Sequence, residues 1–326
     1  MMIRWNHWRP LVGIACLLLM FIGCNEDDPG PSIAPEAARY LDEVLDIMES
    51  NSINRLTIDW ENFRQRVLEE ADGAEAIRDL EPALRQALLL LGDRHSFIQT
   101  ASGGFLSASN ANCAPTMSDA PSLPEAIGYV NVRSFSGNND AALVYAQEIQ
   151  DAIRDQDQAG AKGWIIDLRD NPGGNMWPMI AALGPILGDG IAGYFEHPDG
   201  RSQSWSVLGS SSVFDGSNVL FELPEDYDLI EDHPKVAVLI GSRTASSGEV
   251  VAISFIGRAD TRSFGVPTCG LSTSNSQFQL SDGSVLILTT AYLADRDQNK
   301  FGFPIPPDQR AAPEDIFEEA IRWLEE

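Results

Sequence analysis

Apolar residues recur at helical spacing through the first third of the chain. Tyr40, Leu41, Val44, Leu45 and Met48 fall on one helical face, as do Ile77, Leu80, Leu84, Ala87, Leu88 and Leu91. Between them Trp60, Phe63 and Val67 follow Asp59, a residue suited to cap a helix. This spacing predicts a small three-helix N-terminal bundle over residues 37–92. The pattern then lapses. Residues 99–124 are rich in Ser, Gly, Ala and Asn and predict a surface loop that packs little of its own. Beyond it, short apolar runs alternate with helical ones. Strands are predicted at 128–135, 164–168 and 236–240, and helices at 141–154, 176–187 and after Ser246. Such alternation implies an α/β core over 93–326, with a mainly parallel sheet and helices on its faces. Residues 194–233 interrupt it with polar, turn-rich sequence, expected as an insertion forming part of a lid. Near the end, 276–280 and 284–288 flank Ser281-Asp282-Gly283 as a β-hairpin, and 313–324 is a closing helix.

The N-terminus carries a different message. Arg4 and Arg9 precede the apolar run 11–22, which ends in Gly23-Cys24 and then the acidic Asn25-Glu26-Asp27-Asp28-Pro29. A charged start, a short apolar stretch and a small residue before the cut describe a secretory signal over 1–23. A cysteine at the cut resembles a bacterial lipoprotein signal, which implies that Cys24 is lipidated and anchors the protein to a membrane. Phe21 stands where that signal usually has Leu. Residues 24–36 read as an acidic tether. The apolar run is short for a full membrane span, and an uncleaved anchor would place the body outside the cytoplasm just as a cleaved signal does.

Composition narrows the partners. The formal charge is −26, and loss of Arg4 and Arg9 with the signal leaves 20 basic against 48 acidic residues, or −28. Such a surface repels nucleic acid and anionic lipid headgroups. Of four cysteines, Cys16 leaves with the signal and Cys24 is the expected anchor. Cys113 and Cys269 remain, as one disulfide in an oxidising compartment or as two buried thiols. Sequence does not measure their separation.

The chemistry centres on Thr244-Ala245-Ser246-Ser247-Gly248-Glu249, between the strand at 236–240 and a following apolar helix. A small hydroxyl-rich turn of this kind holds a serine oxygen at the mouth of a sheet and aims backbone N–H groups at a developing oxyanion. It is also where an ordinary N-cap belongs. A serine nucleophile needs a base. The chain has three lysines, Lys162, Lys235 and Lys300. The first two lie at strand starts, at the opposite edge of the sheet, and the third in a polar turn. Three histidines follow the signal. His197 lies in a turn, His233 in an acidic loop, and His95 where the third helix gives way to the loop. Elimination favours His95 as general base. Its alternative is a histidine placed to suit a helix C-terminus. Ser247, the residue after the nucleophile, supplies one oxyanion donor. The turn Asp170-Asn171-Pro172-Gly173-Gly174-Asn175, where two glycines permit close backbone approach, is the source considered for the second. No histidine pair has metal-ligand spacing, and no metal or organic cofactor is expected.

These pieces together resemble the C-terminal processing (tail-specific) serine peptidases. Four segments carry the resemblance in order: Gly92-Asp93-Arg94-His95-Ser96; the run 166–174; Thr244-Ala245-Ser246-Ser247-Gly248-Glu249; and the run 265–273. It spans residues 37–310 and implies a crotonase-like (ClpP-like) core of ββα units. Departures from the family pattern carry information. Leu271 stands where tail-specific members have the lysine of a Ser–Lys dyad, and 99–124 is too short for the PDZ domain many members insert. Phe301 stands at the glutamate position of the tricorn-like branch. The nisin-resistance-protein-like branch, membrane-tethered and without PDZ, uses a Ser–His dyad in this pair of motifs and shares Asn175-Met176 after the glycine turn. That match implies Ser246 as nucleophile, His95 as base, Gly174 and Ser247 as oxyanion donors, and Asn175 and Met176 as substrate contacts. Asp93, Glu249 and Asp308 are open candidates for orienting His95. The expected function is an extracytoplasmic serine endopeptidase acting on peptides or protein tails. The competing class is a binding protein on the same fold, resembling the retinoid-binding repeats of the eye.

Overall fold

A computed structural model describes residues 32–108, 113–114, 120–231 and 233–326. The signal segment, Cys24 and the tether up to residue 31 lie outside the described residues.

The chain opens with α1 (Pro35–Asn51), α2 (Trp60–Glu70) and α3 (Glu81–Leu91), the last two joined through a 3-10 turn at Ile77–Leu80. Pro35 sits in the first turn of α1, where its missing N–H costs nothing. The Asp59 side chain caps α2 by accepting from the Asn62 N–H at 3.2 Å. Next come β1 (Phe97–Gln99), β2 (Phe105–Ser107), β3 (Ile127–Asn131), α4 (Asn139–Gln158) and β4 (Gly163–Asp167). They are followed by α5 (Met176–Ala182), α6 (Gly184–Leu187), β5 (Gly190–Glu196), β6 (Ser202–Leu208), β7 (Ser211–Phe214) and β8 (Asn218–Glu222). The last third holds β9 (Lys235–Ile240), α7 (Ser247–Phe255), β10 (Thr261–Gly265), β11 (Thr273–Gln279), β12 (Val285–Ala294), β13 (Gln309–Arg310) and α8 (Ile316–Glu325).

Two sheets organise these elements. One is wholly parallel, in the order β13-β10-β9-β4-β3. Its central strands are near-continuous apolar runs because both faces are covered. Trp164, Ile166, Val236 and Val238 pack towards α4, α5 and α7. Ile165, Ala237, Leu239 and Phe264 pack towards Ile316, Phe317 and Ala320 of α8. The other sheet runs β2-β1-β12-β5-β6-β7-β8, with β11 paired to β12 beside that path. All of its pairings are antiparallel. The N-terminal helices share one core with Ile98, Leu106, Leu280, Leu286 and Leu288, so they pack over this second sheet as well as on one another.

Several elements differ from expectation for readable reasons. The predicted helix 176–187 is two helices, broken at Leu183 just before Gly184-Pro185. Proline cannot continue a helical hydrogen-bond ladder, and a Cβ at Gly184 would fall 2.1 Å from the Gly209 carbonyl oxygen. Residues 194–233, expected as a polar insertion, carry the end of β5 and all of β6, β7 and β8. Ser202-Gln203-Ser204-Trp205-Ser206-Val207 alternates outward serines with inward Trp205 and Val207. The Trp205 indole N–H donates to Ser254 Oγ at 2.9 Å and ties β6 to α7. The stretch after β8 is pinned to α4, where buried Asp157 accepts from Tyr227 Oη at 2.7 Å and the Ile230 N–H at 2.9 Å. The 99–124 loop contributes β2, and the hairpin strands β11 and β12 are longer than predicted. Among the described residues, no helix is long and apolar enough to cross a membrane.

Candidate active site

Both turns singled out in the sequence lie at the C-terminal ends of neighbouring parallel strands, β9 and β4. The turn after β9 is fastened by Thr244, whose hydroxyl donates to the Leu168 carbonyl at 2.8 Å and accepts from the Gly241 N–H at 3.0 Å. Ser246 then adopts φ 50° and ψ −118°, a conformation that L side chains rarely take. This strand–turn–helix geometry lifts a side chain clear of its neighbours, as in a nucleophile elbow. Such strain persists only where the surroundings impose it. Glu249 is part of that restraint. Its buried carboxylate accepts from the Ser246 N–H at 3.0 Å, from Thr268 Oγ1 at 2.5 Å and from the Gly270 N–H at 3.0 Å. Burial pushes Glu249 up to about 7, against these hydrogen bonds, which favour the ionised form.

The second turn leans on the first. Buried Asn171 accepts the Ala245 N–H at its carbonyl (2.9 Å) and the Gly173 N–H at Oδ1 (2.9 Å), while its Nδ2 donates to Val132 (3.0 Å). Gly173 and Gly174 have φ of 115° and 116°, values open to glycine. A Cβ on Gly173 would fall 2.8 Å from the Ser246 Cβ, and one on Gly174 would fall 2.0 Å from the Phe135 carbonyl oxygen. Glycine is therefore the one residue that fits this approach. The Gly174 carbonyl accepts from Ser247 Oγ at 2.5 Å, which locks the two turns together. Neither the Gly174 nor the Ser247 N–H has a protein acceptor among the described residues. Asn175 caps α5 by accepting the Trp177 N–H at 3.1 Å, and its own N–H donates to Phe135 at 2.7 Å.

The partner of Ser246 comes from the other sheet. His95 lies between α3 and β1, where Asp93 accepts the backbone N–H groups of His95 (2.9 Å) and Ser96 (2.8 Å). The ring Nε2 is 3.1 Å from Ser246 Oγ and Nδ1 is 2.8 Å from Thr273 Oγ1. For the Ser246 hydroxyl to donate to Nε2, the ring proton must sit on Nδ1 and be donated to Thr273. Burial pushes His95 down to about 4, so the imidazole is neutral at physiological pH. None of the three acidic residues considered for the task touches this ring. Asp93 holds the backbone, Glu249 holds the Ser246 amide, and Asp308 accepts from Ser263 Oγ and N at 2.8 Å. Thr273 is the orienting contact, seated at the first position of β11. No lysine lines the cleft. Lys235 Nζ lies 5.2 Å from the Trp323 ring centroid, and Lys300 Nζ lies 3.6 Å from Glu196.

Cys113 and Cys269 form a disulfide with Cα atoms 5.3 Å apart, which decides between the two readings of these cysteines. The Cys269 N–H also donates to the Thr244 carbonyl at 2.9 Å. The bridge thus staples the 99–124 loop to the segment that Glu249 holds through Thr268 and Gly270.

Ser246, His95, Gly174, Asn175, Met176, Ser247 and Thr273 all line one cleft of about 1360 Å³. The structure therefore brings together every site residue expected from sequence except Cys24, which lies outside the described residues. Thr273 was missed, although it lies in a segment carrying the family resemblance. Its signal is faint: Thr273-Ser274-Asn275-Ser276 is a strand of uncharged hydrogen-bonding side chains facing a cleft. Among the described residues, no group of three His, Cys, Asp or Glu is arranged to hold a metal ion.

Comparison with known proteins bears on the family and the fold. Residues 126–311 match the profile of Peptidase family S41. The nisin-resistance protein of Lactococcus lactis subsp. lactis is 27% identical over 293 residues, covering 90% of this chain and 88% of that protein. The carboxyl-terminal-processing protease of Synechocystis sp. is 28% identical over 167 residues, 51% of this chain and 33% of that longer protein. Among solved structures, a lipoprotein from Streptococcus agalactiae matches with a TM-score of 0.71 at 25% identity, over 90% of this chain and 98% of that one. The photosystem II D1 C-terminal processing protease shares the fold, with a TM-score of 0.56 at 14% identity, over 89% of this chain and 97% of that one.

Proposed function

Because the chain belongs to peptidase family S41 and is a serine-type peptidase, we propose that Ser246 is its nucleophile and His95 its general base. The observation that carries this reading is the hydrogen-bonded line Ser246 Oγ, His95 Nε2, His95 Nδ1, Thr273 Oγ1. Ser246 Oγ attacks the peptide carbonyl as its proton passes to Nε2. The oxyanion that forms is held by the Gly174 and Ser247 N–H groups. The His95 imidazolium then protonates the departing amine, and the acyl-enzyme forms. Water, activated by the same ring, releases the acyl group and restores Ser246. Thr273 keeps the ring's second proton placed throughout. Asn175 and Met176 contact the substrate beside the oxyanion turn.

The substrate is a peptide or protein tail lying in the cleft. We read residues 93–326 as a crotonase-like core and 37–92 as an N-terminal helical bundle packed on it. Lipidation of Cys24 would hold the body on the extracytoplasmic side of a membrane, with 24–36 as tether. Absence of a palmitate or diacylglyceryl label on the membrane-fraction protein would overturn this part. The line through His95 favours catalysis over ligand binding alone. A fluorophosphonate probe separates the two: it should modify wild type at Ser246 and leave Ser246→Ala unmodified, and Ser246→Ala should lose peptide hydrolysis. Unchanged hydrolysis by that variant sinks the assignment.

A further inference from the structure

The cleft extends past Ser246 into an aromatic pocket built by elements the nucleophile turn does not use. Met176 and Trp177 enter it from the start of α5, two and three residues beyond Gly174. Val250 enters from α7, one helical turn beyond Ser246 on the same face. Phe195 of β5, Phe214 of β7 and Leu220 of β8 close the far wall. The rings of Trp177, Phe195 and Phe214 pack on one another, with centroids 6.4 Å, 6.1 Å and 6.1 Å apart pairwise, and form one aromatic wall of the cleft. Trp177 and Phe214 are only partly buried, so ring surface faces the cleft. Acidic residues outnumber basic ones 48 to 22 along the chain, yet no Asp or Glu is among the described residues lining the cleft.

We propose that this pocket receives the side chain of the residue whose carbonyl is attacked, and that it selects bulky apolar side chains, aromatic or large aliphatic. The inference rests on the peptidase reading above. Its geometry follows from the oxyanion donors. A carbonyl oxygen held by the Gly174 and Ser247 N–H groups fixes its carbon between the first turns of α5 and α7. The substituent on the adjoining Cα then points between those helices, where Met176 and Val250 form the floor and the packed rings one wall. An apolar side chain gains burial and ring contact there. A basic one finds no carboxylate among the described residues of the cleft and pays desolvation in full.

Aminoalkyl phosphonate diphenyl esters bearing a Phe, Ala or Lys side chain at the reacting residue provide the test, beside a small alkyl fluorophosphonate with no such side chain. The Phe ester should modify Ser246 roughly 10 to 200 times faster than the Ala ester, the range for apolar pocket discrimination, and should exceed the Lys ester by more. Leu220 is 48% exposed on an edge strand, so Leu220→Asp is compatible with folding. It should lower the Phe-to-Ala ratio about tenfold, and Trp177→Leu is a second variant on the opposite wall. Equal Phe and Ala rates, with the fluorophosphonate still labelling Ser246, would overturn the pocket and leave the peptidase reading standing. A wild-type preference that both variants retain would overturn its assignment to this pocket. No labelling by any probe would overturn the peptidase reading and this inference with it.

Discussion

The two sheets contribute to the site in different ways. The parallel sheet supplies Ser246 and the Gly173-Gly174 turn from adjacent strand ends, fastened by buried hydrogen bonds through Thr244, Asn171 and Glu249. Its contribution is a strained backbone fixed in one conformation. The antiparallel sheet supplies Thr273, Phe195 and Phe214, and its strand β1 begins just after His95. Its contribution is side chains in ordinary conformations, placed by register between β1, β11 and β12. The difference teaches that, on the proposed roles, the electrophile-binding half is set by main chain and tolerates little, whereas the proton-handling half is set by side chains and can be adjusted.

The largest effect should come from cutting the link between the halves. Ser246→Ala and His95→Ala should each lower kcat by about 10⁴-fold or more, and the double variant should be no worse than the poorer single one. Losses that multiply in steady-state assays would show that the halves act independently. Gly174→Ala attacks the rigid half alone. Its Cβ has no room beside Phe135, so denaturant unfolding should report a loss of roughly 2–4 kcal/mol. Any folded fraction should show kcat lowered by about 10²-fold or more through the displaced oxyanion donor. Thr273→Val attacks the adjustable half. Loss of the ring's orienting partner should lower kcat about 10- to 100-fold with KM little changed, and Thr273→Ser should restore most of it. A Val variant with full activity would remove Thr273 from the mechanism.

The two halves should also separate by pH. With His95 pushed down to about 4, the acid limb of kcat/KM should fall near pH 4 rather than near 6.5. In stability terms, the folded His95 resists protonation that the unfolded chain accepts. Its contribution is full above pH 6.5, declines as pH falls and levels off below about 4. Glu249 runs the other way. With its folded value raised from the ordinary 4.5 to about 7, the stability it contributes is present below 4.5 and lost as pH rises through 7. Glu249→Gln should flatten the stability profile between pH 4.5 and 7, the smallest of these effects. An unchanged slope would mean that Glu249 is ionised across that range.

The rigid half was the legible one. Buried parallel strands announce themselves as unbroken apolar runs, and a Gly-Gly or hydroxyl-rich turn at their ends has few other uses. Ser246, Ser247 and the 170–175 turn were accordingly singled out from local sequence, Gly174 within that turn by the family resemblance, and His95 by counting the few available bases. The adjustable half was hidden. Thr273 is one hydroxyl among several in a polar strand, and only pairing with β12 points it at His95. Trp205 lies among the alternating serines of β6 and Phe214 follows the buried Ser211 and Ser212, so 194–233 reads as a polar, turn-rich insertion. The Cys113–Cys269 bridge depends on a distance, which no local pattern encodes.

The order of these parts along the chain has a consequence for biosynthesis. His95 precedes Ser246 by 151 residues, and Thr273 follows His95 by 178. A nascent chain already holds the serine while β11 and β12, which seat the histidine, are still unmade. Its hydroxyl has no oriented base until that hairpin docks. The two halves of the cleft are thus joined only after most of the chain has been made.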